Sequence, residues 1–318
     1  MAELLAGLAA VGFAAALVAI KRGLVDNTVV VGVLLSLSAS WVVTLLATLT
    51  SLPTGLTVAA VVLFALSGLT APGISRYAST AGIDRLGPST AAPILAGVRP
   101  VLSMIGGVVL LSESVGWLQV AGVALITLGV VRLSQAPDEE EVAHSPERQH
   151  DPSEHHLPGA ASLETTSLRV RTWTRRIRPA VAWPLLAGAC YSASDLLVKA
   201  GTNRVAEPVF AGFVATSVAL ALWIGMVVVV RPMRAEVRLG RGAGFLLLSG
   251  AFAALAVVAL FHAIERGEVS VVGPIVATSP LAVLLFSRVF IRDLEHIHTA
   301  TVVAAVAVVA GAVMLSLG

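Results

Sequence analysis

Arg99 is the residue of this chain that most requires a partner. It stands in the middle of the stretch 88–111, which holds no other charge. A mid-span arginine costs at least ~2.5–3.5 kcal/mol to place in a bilayer, so an acid, a freed backbone carbonyl or an anionic ligand has to compensate it. Asp195 is the acid that falls inside an apolar stretch, 181–199. On a helix, Tyr191 lies one turn before it and Lys199 one turn after, on the same face. Asp195 therefore has two candidate partners, Arg99 across the fold and Lys199 beside it. Facing a cavity opposite Arg99, its carboxyl would be held between burial and a cation, a balance suited to carrying a proton.

Four prolines give a second signal. Pro93 and Pro100 fall in one apolar stretch, and Pro274 and Pro280 in another. A proline inside a helix has no N–H and frees the carbonyl four residues back, here those of Ser89, Ala96, Ser270 and Val276. Interruptions at matching places in two halves of a membrane chain point to a binding site; the competing reading is that they only kink helices for packing. Small hydroxyls at Ser192, Ser194, Thr278 and Ser279 suit either a cavity wall or helix packing. The candidate substrate-contacting residues are Arg99, Asp195, Tyr191, Ser89, Pro93, Pro100, Pro274, Ser279 and Pro280.

Other chemistry finds little support. The lone cysteine, Cys190, excludes an intrachain disulfide and any cysteine-based metal site. His144, His150, His155 and His156 lie irregularly spaced in a polar stretch and read as solvated, not as a metal tract. His262 stands with Glu265, Arg266 and Glu268, which reads as a solvated loop-end cluster in preference to a proton relay. His262, His296 and His298 are the only histidines at the edges of apolar stretches, and no metal-binding pair lies within one. No Gly-rich phosphate loop occurs, so direct use of ATP is not expected. No cofactor or metal is implied, and an enzyme is not expected.

The elements that must position these residues follow from composition. Of 318 residues, 57% are hydrophobic and 13% charged, and the mean hydropathy is +0.90. Soluble domains carry roughly 25% charged residues, so much of this surface must face lipid. That excludes a disordered chain, a nucleic-acid binder and a secreted domain. Long apolar runs without strand alternation predict helices. Reading between charges gives ten spans, at 4–20, 28–50, 56–75, 88–111, 115–131, 181–199, 208–230, 243–261, 269–287 and 299–317, each near the roughly 17–25 residues a bilayer requires. The turn Ser51-Leu52-Pro53-Thr54-Gly55 divides the uncharged run before Arg76. The first span is followed, not preceded, by Lys21 and Arg22, against the order of a signal peptide. Trp117 and Trp183 are expected to anchor helix ends at the interface. Gly106, Gly107, Gly122 and Gly129 are expected to permit close helix approach.

Residues 135–180 break the pattern as a polar linker. The acids Asp138 to Glu141 open it, and Arg169, Arg171, Arg175, Arg176 and Arg178 around Trp173 form a basic juxtamembrane end suited to anionic headgroups. It separates a first unit, 1–134, from a second, 181–318. Loops on the side of the termini hold three basic residues (Lys199, Arg204 and Arg266), and the opposite side holds seventeen. The positive-inside rule then places the linker in the cytoplasm and both termini outside the cell membrane.

The two units repeat one another. Lys21 and Gly23 align with Lys199 and Gly201 at an offset of 178, Pro93-Ile94-Leu95-Ala96 with Pro274-Ile275-Val276-Ala277 at 181, and Glu113 with Glu295 and Gly129 with Gly311 at 182. Five spans per unit is an odd number, so the second copy enters the membrane inverted. Two such halves can exchange conformations, bringing inward-open and outward-open states close in energy. The expected architecture is an all-α polytopic membrane protein of ten helices in two inverted five-helix repeats.

The segment from Leu111 to Val130, with Ser112-Glu113, Gln119-Val120-Ala121-Gly122 and Leu125-Ile126-Thr127-Leu128-Gly129, resembles the end of an EamA-type domain of the drug/metabolite transporter superfamily. Lys21 closing the first span and Pro100 in the fourth are similar to it too. In the second copy Glu295 follows Leu294, and Thr301 stands where the first copy has Gln119. The resemblance implies a ten-helix carrier whose cavity is lined by the first, third, fourth, sixth, eighth and ninth helices. The expected function is a secondary membrane transporter that moves a small organic, drug-like or anionic solute by alternating access. A lipid-linked sugar flippase of the same fold is the alternative, and an intramembrane enzyme a more distant one. Expected partners are the solute and membrane lipids, with no nucleic acid.

Overall fold

The computed structural model describes residues 1–50, 53, 55–111, 116–134, 179–205, 207–266, 269–295 and 297–317. The linker 135–178, Glu113, Glu268, His296 and the side chains of Pro100, Gly106, Gly107, Glu265, Ser270 and Pro274 lie outside that description, and with them the expectations placed there. Everything described is helix or short connection. The helices are α1 (Ala2–Leu24), α2 (Val29–Thr50), α3 (Val58–Gly68), α4 (Ser75–Leu86), α5 (Pro88–Leu111), α6 (Trp117–Ser134), α7 (Ala182–Thr202), α8 (Pro208–Val229), α9 (Arg231–Glu236), α10 (Ala243–Arg266), α11 (Val269–Ala277), α12 (Ser279–Phe290) and α13 (Thr299–Leu317). Among the described residues, seven helical stretches are long and apolar enough to cross a membrane, and Trp117–Leu133 and Ile275–Phe290 are shorter apolar helices. Exposed apolar side chains such as Leu4, Leu8 and Val11 of α1 form stripes at helical spacing. In water such stripes are a liability; in lipid they are the ordinary surface.

Three element boundaries differ from the sequence expectation. The third stretch does not end before Arg76 but continues to Leu86, as α3, a π-helical turn at Leu69–Ile74 and α4. The backbone breaks inside that turn at Ala71 (φ −141°, ψ 125°), just before Pro72. The fourth stretch runs through Pro93 and Pro100 as one helix, whereas the ninth divides at Thr278, before Pro280. Pro72, then, marks a break, and Pro93 and Pro100 inside α5 do not. The short basic helix α9 was not expected at all.

Helix packing follows a pattern of exchanged partners. α1 packs on α10 and α7 on α3; α2 packs on α10 and α8 on α3; α5 packs on α7, and α11 and α12 on α1; α6 packs along α13. Close glycine approaches repeat the exchange residue by residue. Gly68 lies against the Ala215 backbone, and Gly250 against the Ser36 backbone. Gly122 faces Gly311, while Gly129 faces Ala304 and Val308. Gly23 abuts Leu246, and Gly201 abuts Phe64. The expected close approach at Gly122 and Gly129 is present, with no room for a side chain at either.

A polar seam runs down α2, where Ser36, Ser40, Thr44 and Thr48 are buried at four-residue spacing. The Ser40 hydroxyl donates to the Gly250 carbonyl (2.8 Å), and the Thr44 and Thr216 hydroxyls share a hydrogen bond of 3.0 Å. Such bonds hold helices together where lipid supplies no hydrophobic driving force.

Candidate functional site

Arg99 projects from the middle of α5 toward α7. Its Nε donates to Asp195 Oδ2 and its Nη2 to Asp195 Oδ1, both at 2.6 Å. This two-pronged geometry matches the planar guanidinium to the carboxylate. The Tyr191 ring lies beneath the guanidinium, 5.5 Å from ring centre to Cζ, adding a cation–π contact. The Ser192 hydroxyl donates to the Arg99 carbonyl at 2.7 Å, fixing the backbone that carries the arginine. Of the two partners open to Asp195, the structure selects Arg99, and Lys199 is not its ion pair among the described residues.

The pair is not sealed. The Arg99 and Asp195 side chains keep 44% and 38% of their surface accessible, although both sit well inside their helices. From Ala189 to Val198 no residue of α7 is exposed, so this part of α7 presents no stripe to lipid. Next to Asp195, the Ser194 hydroxyl donates to the Ala71 carbonyl at 3.2 Å, and Trp223 Nε1 donates to the Gly73 carbonyl at 3.0 Å. The break in the third stretch thus has its carbonyls taken up by side chains, as irregular backbone at membrane depth requires. The result is one polar locus made by α5, α7 and the Leu69–Ile74 turn.

The remaining candidates with described side chains are not bonded to this pair. Ser89 is buried at the start of α5, where its N–H (3.0 Å) and hydroxyl both donate to Glu295 Oε1; it is not beside Arg99, which lies nearly three turns on. Pro93 and Pro280 are buried, and Ser279 is half-buried at the start of α12. Among the described residues none of the three is bonded to Arg99 or Asp195. Ser192 and Ser194 make helix-packing bonds. Thr278 donates to the Ile275 carbonyl at 2.7 Å. Trp183 sits inside the bundle edge, with Tyr77 edge-on at 5.7 Å and the Arg85 guanidinium 5.0 Å above it, while Trp117 is 80% exposed. Among the described residues no group of three His, Cys, Asp or Glu side chains gathers as a metal site.

At the α5 N-terminal end of the bundle lies a second charged cluster. Lys21 donates to the Asp84 carbonyl at 2.8 Å, and Arg22 pairs with Asp293. The hydrogen bond from Arg22 holds the Asp293 carboxyl below the usual carboxylate range. That contribution is present at neutral pH and disappears as pH falls through the lowered value. The pair is solvent-exposed, so its weight is small. Asp293→Asn is expected to move the thermal midpoint by no more than about 2 °C, measured on purified protein at pH 7.

Sequence comparison gives the same family for both halves. The profile of the EamA-like transporter family matches residues 1–135 and 178–317. None of the curated proteins matches. Eight chains of solved structures match. One, described only as "Crystal structure of protein", aligns with a TM-score of 0.57 at 16% identity, covering 98% of this chain and 95% of its own. At that identity it shows a shared fold.

Proposed function

This chain belongs to the EamA-like transporter family and is a multi-pass integral membrane protein, and from that premise we propose that it is a secondary carrier working by alternating access. The observation that carries the reading is the exchange of packing partners. Gly68 on Ala215 and Gly250 on Ser36 convert into one another by offsets of 182 and 179; Gly122 on Gly311 and Gly129 on Ala304 do so by 182 alone; Gly23 on Leu246 and Gly201 on Phe64 do so by 178 and 182. Contacts that interchange when the halves are interchanged support a two-fold relation between units 1–134 and 181–318. With five spans in each, that relation is an inverted repeat of ten helices. The seventeen basic residues on the linker side support a cytoplasmic linker and outward termini in the cell membrane.

The solute site in this reading is the Arg99–Asp195 locus with Tyr191. The pair presents both signs of charge, so it suits a small organic solute that offers an anionic group to Arg99 and a donor to Asp195. The repeat adds an asymmetry: the positions matching Asp195 and Arg99 in the other halves are Leu17 and Pro280. The charged locus therefore has no charged counterpart in the repeat.

The test is uptake into proteoliposomes from a mixed pool of metabolites, read by mass spectrometry. Wild-type protein is expected to accumulate specific compounds, and Arg99→Ala to take them up at least about tenfold more slowly, the scale of one lost charge-assisted hydrogen bond. Equal uptake by both would make Arg99 structural. No uptake above empty liposomes would contradict the carrier reading.

A further inference from the structure

Glu295 lies in the connection between α12 and α13, yet it is only 6% exposed. Its Oε1 accepts from the Ser89 N–H and hydroxyl, so a carboxylate from the second half caps the N-terminus of α5, a helix of the first. The turn before α5 is shaped around it: Gly87 has φ +75°, and a Cβ there would strike the carboxyl. The other oxygen, Oε2, is buried and has no hydrogen-bond partner among the described residues, and the same holds for the hydroxyl of neighbouring Ser287 on α12. A charged carboxylate with an unpartnered buried oxygen is costly. The Ser287 hydroxyl can answer that oxygen in either state, as a donor to the carboxylate or as an acceptor once the acid is protonated.

We propose that Glu295 is a proton-binding site that controls how tightly the second half holds α5, and with α5 the Arg99 locus. Charged, the carboxylate grips the positive end of α5. With a proton from the aqueous phase on Oε2, it becomes a neutral acid that donates to Ser287 and accepts only weakly from Ser89; returning the proton restores the grip. The inference rests on the carrier reading and deepens it by naming the proton as the coupling ion.

Among the described residues, the charged and titratable groups on the elements around Glu295 are these. From α1, Lys21 acts on it as a cation, while Arg22 is taken by Asp293. From α4 come Asp84, whose carbonyl holds Lys21, and Arg85, which covers Trp183. The first turn of α5 carries no ionisable group; α12 adds Ser287 and exposed Arg288, and the connection itself Arg292, Asp293 and His298. Burial raises the Glu295 pKa above the ordinary carboxylate value, against the opposing effects of Ser89, the Ser287 hydroxyl and Lys21. The folded protein therefore keeps a proton that the unfolded chain has lost. Stability from this group is full below the ordinary glutamate value and is lost as pH rises through the raised one.

The experiment is pH-difference infrared spectroscopy of the purified protein in lipid, without solute. A carbonyl band from a protonated carboxyl is expected to titrate above the ordinary carboxylate range. It should vanish in Glu295→Gln, persist in Asp293→Asn, and move up by about one pH unit or more in Ser89→Ala, which removes a bond to the charged form. If Glu295→Gln does not fold, Glu295→Asp should keep a titrating band at a changed midpoint. A band unchanged in Glu295→Gln, unmoved in Ser89→Ala, or absent from folded wild type would overturn the proposal. Because no solute is involved, a protein that shows the band but moves nothing would sink the carrier reading and leave the proton site standing.

Discussion

Asp195→Asn is expected to lower solute movement at least tenfold and to destabilise the protein. An asparagine offers one oxygen where the guanidinium needs two, and its NH2 points a donor at a donor. A positive charge is then left in mid-span without its counterion, a condition that costs about 3–5 kcal/mol where the site is fully buried. Here 44% of the Arg99 side chain and 38% of the Asp195 side chain are accessible, so water screens part of the loss and roughly 1–3 kcal/mol is the expected stability effect. The double variant Arg99→Gln with Asp195→Asn removes both charges and should regain most of the thermal midpoint while solute movement stays lost. Uptake equal to wild type in the single variant would show that the pair serves folding alone.

The largest effects on folding are expected from Gly68→Leu and Gly250→Leu, and they should be alike. A side chain at Gly68 would enter the Ala215 backbone, and one at Gly250 the Ser36 backbone. Backbone cannot give way as a flexible side chain does, so each helix pair must separate at a cost at or above the ~1–3 kcal/mol typical of overpacking. A Cβ added at Gly7 or Gly212 meets nothing within 4 Å, so substitutions there serve as controls. The readout is the yield of monodisperse protein and its thermal midpoint. A large loss at one member of the pair and none at the other would argue against a two-fold relation between the halves.

Much of the site was legible because membranes make charge expensive. Arg99 and Asp195 are conspicuous in apolar stretches, and helical spacing alone puts Tyr191 on the Asp195 face. What the spacing left open, Arg99 against Lys199, needed the position of α5 relative to α7. Charge also misled. Arg76 looks like the end of a span, but α4 continues through Asp84 and Arg85, because Lys21 reaches the Asp84 carbonyl and Arg85 covers the Trp183 ring. Prolines misled in both directions, since Pro93 and Pro100 sit inside an unbroken helix while Pro72 attends the real discontinuity. Glu295 was visible only as the repeat partner of Glu113. Its role in capping α5 depends on Ser89, 206 residues away, a separation across which no local pattern operates.

The central claim, two five-helix halves set antiparallel in the membrane, is tested most directly by compartment. In a Cys190→Ala background, single cysteines are introduced at Ala2 and at Ser145, and intact cells are treated with a membrane-impermeant maleimide. The account predicts that the cysteine at position 2 reacts in intact cells, and that the one at position 145 reacts only after the membrane is opened. Reaction of both in intact cells, or protection of both, would place the N-terminus and the linker on one side, leaving an even number of crossings in the first half and no inverted repeat.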